Sequence, residues 1–212
     1  MKKVLICTIA LLAMMPDAFA QRKSSRKDGV LDGKSFYRTP YRTRNSGSYD
    51  VNSRMISLGY GLGNTLYNGH GYFGTDGSKT AFGPLMVKYE HAIRDEVGIG
   101  AIGELAFRQW KYRVAGNTYK DRAVGAGISF LGYYHFNKFI PIPKLDVYAG
   151  AGLSIAHNSY HDDYFDETNN TVDVNPAVVA GARYLFTDNF GAYGEVGRTA
   201  FSWVNLGISF KL

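Results

Sequence analysis

The residues best suited to chemistry stand in the segment Ala156-His157-Asn158-Ser159. Histidine and serine two positions apart share one face of an extended chain. An imidazole beside a hydroxyl is the core of a nucleophilic pair, with His157 as base and Ser159 as attacking oxygen, and it needs a carboxylate on the same surface to orient the ring. An acidic run follows, with His161, Asp162, Asp163, Asp166, Glu167 and Asp173 and no Lys or Arg among them. Asp162, Asp163, Asp166 and Glu167 are candidate oxygen ligands for a hard divalent cation, but the Asp-x-Asp-x-Asp-Gly spacing of a calcium loop is missing and a solvated acidic loop is the simpler reading. Six more charges are spread over several segments of the chain: Lys88, Glu90, Glu104, Arg108, Arg183 and Glu195, three of each sign. No phosphate loop, dinucleotide fingerprint, zinc motif or nucleic-acid module is visible. Neither a cofactor nor a nucleic-acid partner is expected.

The elements that must position these groups show in the alternation of apolar with small or polar residues, the period of a strand. Eight such segments run over 56–63, 85–93, 97–108, 124–136, 145–155, 178–186, 190–197 and 203–212. One face carries residues such as Ile56, Leu58, Val87, Leu105, Val124, Leu153 and Leu206. The other carries the six charges, Asp146, Tyr148, Tyr133, His135 and many of the 25 glycines. By the same parity, His157 and Ser159 fall on the apolar face. The connections are lopsided, long after the first and fifth segments and tight after the second and sixth. The first long connection, Asn64 to Gly83, holds Tyr67, His70, Tyr72, Phe73 and Phe82. Its aromatics suit contacts with partners or sugars, or packing within the loop.

Residues 1–20 read as a secretory signal peptide, with Lys2 and Lys3, an apolar run from Val4 to Met15, and the small-x-small ending Ala18-Phe19-Ala20. Cys7, the only cysteine, lies in that leader, so disulfide and thiol chemistry are not expected in the mature chain. Residues 21–53 are polar and basic, without either periodicity, and read as a disordered tail. The formal charge of +6 divides unevenly: +1 in the leader, eight basic minus three acidic side chains in the tail, and 14 of each sign in 54–212. The basic tail suits a periplasmic anionic polymer or protein, or serves as a solvated spacer.

A soluble sandwich would bury the apolar face and show the charged one to water. Water-facing strands, however, seldom use glycine after glycine, whereas a narrow, crowded interior calls for small residues. Long loops at one end and tight turns at the other are also the habit of membrane barrels. The leader, the eight amphipathic strands and the final strand WVNLGISFKL together resemble the small eight-stranded outer-membrane β-barrels of the OmpA/OmpX type, the porin-like barrel family of Gram-negative bacteria. The resemblance implies an all-β, eight-stranded antiparallel up-and-down transmembrane barrel over 54–212, with both termini in the periplasm. It also implies outer-membrane lipid and lipopolysaccharide as surroundings, and an insertion machinery that reads the last strand through Phe210 and Leu212. Phe136, Phe186, Phe190 and Phe210 are then expected at the periplasmic interface, with Tyr60 and Phe107 at the outer one.

Eight strands leave an interior just wide enough for side chains. The six charges are therefore expected to pair into a fixed polar plug rather than to line a pore. The expected role is structural or interactive, through the loops or the tail. Two alternatives stand beside it. One is a lipid A acyl hydrolase, since His157 and Ser159 resemble the His-x-Ser pair of outer-membrane lipid A deacylases, although Glu90, Glu104 and Glu195 face the other way. The other is a soluble periplasmic binding protein.

Overall fold

The computed structural model describes residues 48–51, 53–66, 75–140 and 142–212. The leader, most of the basic tail, and Tyr67, His70, Tyr72 and Phe73 lie outside the described residues. The rest is eight antiparallel strands: β1 Arg54–Leu62, β2 Thr75–Ala92, β3 Val97–Val114, β4 Asn117–His135, β5 Leu145–Asp162, β6 Glu167–Leu185, β7 Phe190–Arg198 and β8 Val204–Lys211. Each pairs with its sequence neighbours, and β8 closes on β1 from Met55↔Lys211 to Leu62↔Val204. Closure leaves no unpaired sheet edge.

The strand count and the two faces follow the alternation in the sequence. The strand lengths do not. Strands β2 to β6 have 18 or 19 residues, while β1, β7 and β8 have 8 or 9. The wall is therefore tall on one side, and much of what the sequence presents as long loop is strand. The β3–β4 hairpin turns on Ala115 and Gly116, with φ of 49° and 85°, the left-handed pair of a tight hairpin. The acidic run is likewise a hairpin, with β5 and β6 paired as far as Asp162↔Glu167. Alternation fades there because residues 167–174 are exposed on both faces, so neither face needs to be apolar. In β2 the pair Gly83-Pro84 looks like a breaker. The strand passes through it on a bulge between Phe82 and Leu85, with Gly83 at φ 82°.

Inward-facing glycine makes room for large inward rings. A Cβ on Gly150 would stand 2.7 Å from the Tyr133 ring, and one on Gly125 would stand 2.5 Å from Leu66 and 2.6 Å from Phe201. Outward, the rings gather as bands. At the end that carries the start of β1 and the end of β8, here the terminal end, Phe190 lies 5.9 Å from Phe186 and 5.3 Å from Phe210 between ring centres, and Tyr134 lies 5.1 Å from Phe136. At the opposite, distal end Tyr60 meets Phe82 at 6.2 Å.

Candidate functional site

The interior is built in layers. Near the terminal end, β2 supplies Lys88 and Glu90, β4 His135, β5 Asp146 and Tyr148, β6 Arg183 and β7 Glu195, none more than 2% exposed. Lys88 Nζ lies 2.5 Å from Glu195 Oε1 and 3.5 Å from Glu90 Oε2. The Arg183 guanidinium donates to Glu90 Oε2 at 3.0 Å and to Asp146 Oδ2 at 3.1 Å. His135 sits between two carboxylates, Nδ1 2.8 Å from Asp146 Oδ1 and Nε2 3.0 Å from Glu90 Oε1, the second an ion-pair distance without an aligned hydrogen bond. An imidazolium can face two carboxylates, and in that form the layer holds three cations against three anions. Tyr148 donates its hydroxyl to Glu195 at 2.8 Å, and Lys88 lies 4.3 Å and 4.4 Å from the ring centres of Tyr133 and Tyr148.

Of the six charges singled out in the sequence, four share this layer. His135 and Asp146, which complete it, have the right parity, and their nearness to Glu90 and Arg183 follows only from the register. Glu104 and Arg108 stand elsewhere. Glu104 accepts from the Thr199 hydroxyl at 2.9 Å and from Ala200 N–H at 2.7 Å, which ties the β7–β8 connection down into the barrel. Arg108 donates to the backbone carbonyls of Leu66, at 3.0 Å, and Asn64, which ties in the β1–β2 connection. These two loops join each other through Thr65 N–H to Phe201 O at 2.9 Å. Leu66 and Phe201, at 1% and 2% exposure, pack with Ala106, Trp110, Ala123 and Ala156 as a distal cap. Beyond it, Lys79, Ala81, Arg108 and Trp110 line a mouth of about 220 Å³.

The terminal end is capped by chain that the sequence assigns to the tail. Ser48, Tyr49 and Ser53 are buried. Tyr49 stacks on His135 with centres 3.4 Å apart, Ser48 Oγ donates to Leu145 O at 3.3 Å, and Val51 N–H donates to Asp95 Oδ1 at 3.1 Å. Tyr49 fills space that Gly98 leaves open, so this described stretch ahead of β1 packs onto the barrel. Outside the strands, the Glu96 carboxylate hydrogen-bonded to Lys138 holds that ammonium above its ordinary pKa.

His157 and Ser159 lie on the outward face of β5, opposite Val172 and Asn170 of β6. No hydrogen bond joins them among the described residues. The strand carboxylates nearby are turned inward, Asp173 accepting from Asn158 at 2.9 Å and Asp121 from Tyr160 at 2.8 Å. The acidic turn is internally satisfied: Asp162 Oδ1 accepts from Tyr164 and Phe165 N–H, and Asp163 Oδ2 from Lys120 N–H at 2.9 Å. No three potential ligands converge on a metal position among the described residues, and Asp166 and Glu167 are exposed. Asp121, which no motif in the sequence marks, accepts from Tyr112, Tyr160 and Asp163 N–H and so links the β3–β4 and β5–β6 hairpins. Phe210 and Leu212 point outward at 38% and 66% exposure.

No family model and no curated protein matches this chain. Among solved structures, the outer membrane protein OprG of Pseudomonas aeruginosa is similar over 78% of this chain and 98% of its own, at 9% identity and a TM-score of 0.53. The N-terminal β-barrel domain of OprF from the same organism covers 77% of this chain and 99% of its own, at 21% identity and a TM-score of 0.41. Ail of Yersinia pestis covers 76% and 95%, at 14% identity and a TM-score of 0.43. The first of these shares the barrel fold.

Proposed function

We propose that this chain is an integral outer-membrane barrel, with its termini on the periplasmic side and a closed, non-conducting interior, that acts through its distal surface or its basic tail. The observation that carries this reading is an apolar exterior around a charged interior. Every strand contributes exposed apolar side chains outward, among them Leu58 (47% exposed), Val87, Leu105 (62%), Val124, Leu153, Val178, Val196 and Leu206. Transfer of one such side chain from water to hydrocarbon is worth about 2 kcal/mol, and a soluble monomer seldom leaves contiguous apolar patches beyond a few hundred Å². Turning the apolar face to lipid satisfies it, while the ion pairs inside satisfy the charges. Connections tied into the distal mouth, and the segment ahead of β1 packed into the other, favour a structural or interaction role over bulk permeation. Likeness to an outer membrane protein of the same fold agrees with this membrane.

Fractionation of cells expressing the full chain tests the reading, with migration compared before and after boiling. A membrane-bound product whose compact, detergent-resistant form shifts on heating is expected. A soluble periplasmic product with unchanged migration would overturn it.

A further inference from the structure

Above the apolar belt, the outward face of the tall wall is not uniformly polar. The belt ends on β3 and β4 at the directly paired Phe107↔Val124. The next outward pairs are Gln109↔Arg122, Lys111↔Lys120 and Arg113↔Thr118, so four cations form a ladder two strands wide. On the β2 side, Thr80 stands opposite Gln109 and Ser78 opposite Lys111. Ser78, Lys111, Tyr112, Arg113 and Thr118 line a concavity of about 260 Å³. Lys111, Arg113, Lys120 and Arg122 are all exposed.

Two observations set this ladder apart from an ordinary solvated rim. First, Lys111 faces Lys120 directly across the sheet, an arrangement that is destabilising unless an anion sits between them. None of the four cations forms an ion pair among the described residues. Asp163 comes near only through the Lys120 backbone N–H. At the terminal end Lys138 pairs with Glu96, Lys211 with Asp50, and Lys144 donates to Phe186 O at 3.1 Å, while Arg54 and Arg94 stand exposed on separate strands and turns rather than facing each other. Second, the cations do not ring the barrel. At the same height β5 and β6 present Ser159, His161, Asn170 and Thr168, with Arg122 opposite His161 and Val124 opposite Ser159.

We infer that the β2–β4 face is a binding site for the phosphorylated saccharide headgroup of a glycolipid in the surrounding outer leaflet. Its phosphates bind between Lys111, Lys120, Arg113 and Arg122. Its sugar hydroxyls meet Ser78, Thr80 and Thr118, and its acyl chains run down Phe107, Val124 and Leu105. Ammonium and guanidinium groups directly above an apolar surface match a ligand that is anionic at the top and hydrocarbon below. The inference rests on the membrane reading above and adds a partner and a place on the wall.

The test uses the full chain reconstituted in phosphatidylcholine nanodiscs doped with bisphosphorylated lipid A, dephosphorylated lipid A or phosphatidylglycerol, with bound lipid counted by native mass spectrometry. The wild-type chain is expected to retain bisphosphorylated lipid A in preference to both others. A variant with Lys111→Gln, Arg113→Gln, Lys120→Gln and Arg122→Gln is expected to lose that preference by nearly three orders of magnitude, from roughly fivefold for each of the four basic side chains at an anionic lipid surface. A control variant with Arg54, Arg94, Lys138 and Lys144 changed to Gln keeps it. Equal retention by the two variants, or no discrimination by phosphate, would overturn the site. Full displacement by millimolar inorganic phosphate would show a free-anion site and overturn the lipid. Heat-modifiable migration of each reconstituted sample separates the two levels: a chain that fails to insert refutes the membrane reading and this site with it, whereas one that inserts without discriminating refutes the site alone.

Discussion

Replacing Arg183 with Met removes one partner from a fully buried ion network while roughly keeping its volume. Arg183 is 0% exposed and holds Glu90 at 3.0 Å and Asp146 at 3.1 Å. Its loss leaves both carboxylates against Lys88 and His135 alone, in an interior where an uncompensated charge costs about 3–5 kcal/mol. With a urea dependence of about 2 kcal/mol per molar, the unfolding midpoint of the bilayer-refolded protein is expected to fall by about 2 M. Tryptophan fluorescence reports the transition, since Trp110 is buried in the distal cap and Trp203 is half exposed. Lys138→Met is the control: its pair with Glu96 is solvent-exposed, and the midpoint is expected to stay within error. The double variant Arg183→Met/Glu90→Gln is expected to lose less than the sum of the single losses, by more than about 1 kcal/mol. An Arg183→Met midpoint that matches the Lys138→Met midpoint, or strictly additive losses, would refute the view that these charges act as one network.

Three further outcomes follow from the capped interior and the outward pair. Phe201→Ala empties the centre of the distal cap, where Phe201 is 2% exposed, and is expected to destabilise the barrel by about 3–5 kcal/mol in the same urea titration; a loss below about 1 kcal/mol would mean that the cap packs loosely. Single-protein planar-bilayer recordings are expected to show no large stable conductance, and a persistently open channel would contradict a closed interior. Ser159→Ala and His157→Ala are expected to leave the acylation of lipid A unchanged by mass spectrometry, because no carboxylate orients His157 among the described residues; a loss of one acyl chain that depends on Ser159 would establish a hydrolase.

Parity carries most of what the sequence reveals. Strand count and the separation of Leu58, Val87 and Leu105 from Lys88, Glu90 and Arg183 follow from period two, which holds wherever one face is apolar, whereas the antiparallel order is what the family resemblance implies. At the distal start of β6, residues 167–171 are polar on both faces. The signal disappears at residues such as Asn169, Asn170 and Thr171, so the hairpins read as loops. The partnership of His135 with Asp146 and Glu90 joins β2, β4 and β5, and Tyr49 comes from ahead of β1. Both depend on register and on chain that carries no period of its own. The basic ladder is hidden for the same reason: Lys111 and Lys120 are nine residues apart in sequence and become neighbours only when the Ala115-Gly116 turn fixes their pairing.

The central claim, that the apolar face meets lipid, is tested most directly by placing single labels within and above the apolar belt. Residues 8–212 contain no cysteine, so Cys can be introduced singly at Leu105, Val124, Leu153 and Leu206 outward and at Lys111 above the belt. In bilayer-refolded protein, a fluorophore at the first four positions is expected to be quenched by nitroxide lipids and protected from iodide, with the order reversed at Lys111. Iodide access at Leu105, Val124, Leu153 and Leu206 without quenching by the lipid-borne nitroxide would contradict a membrane-spanning barrel.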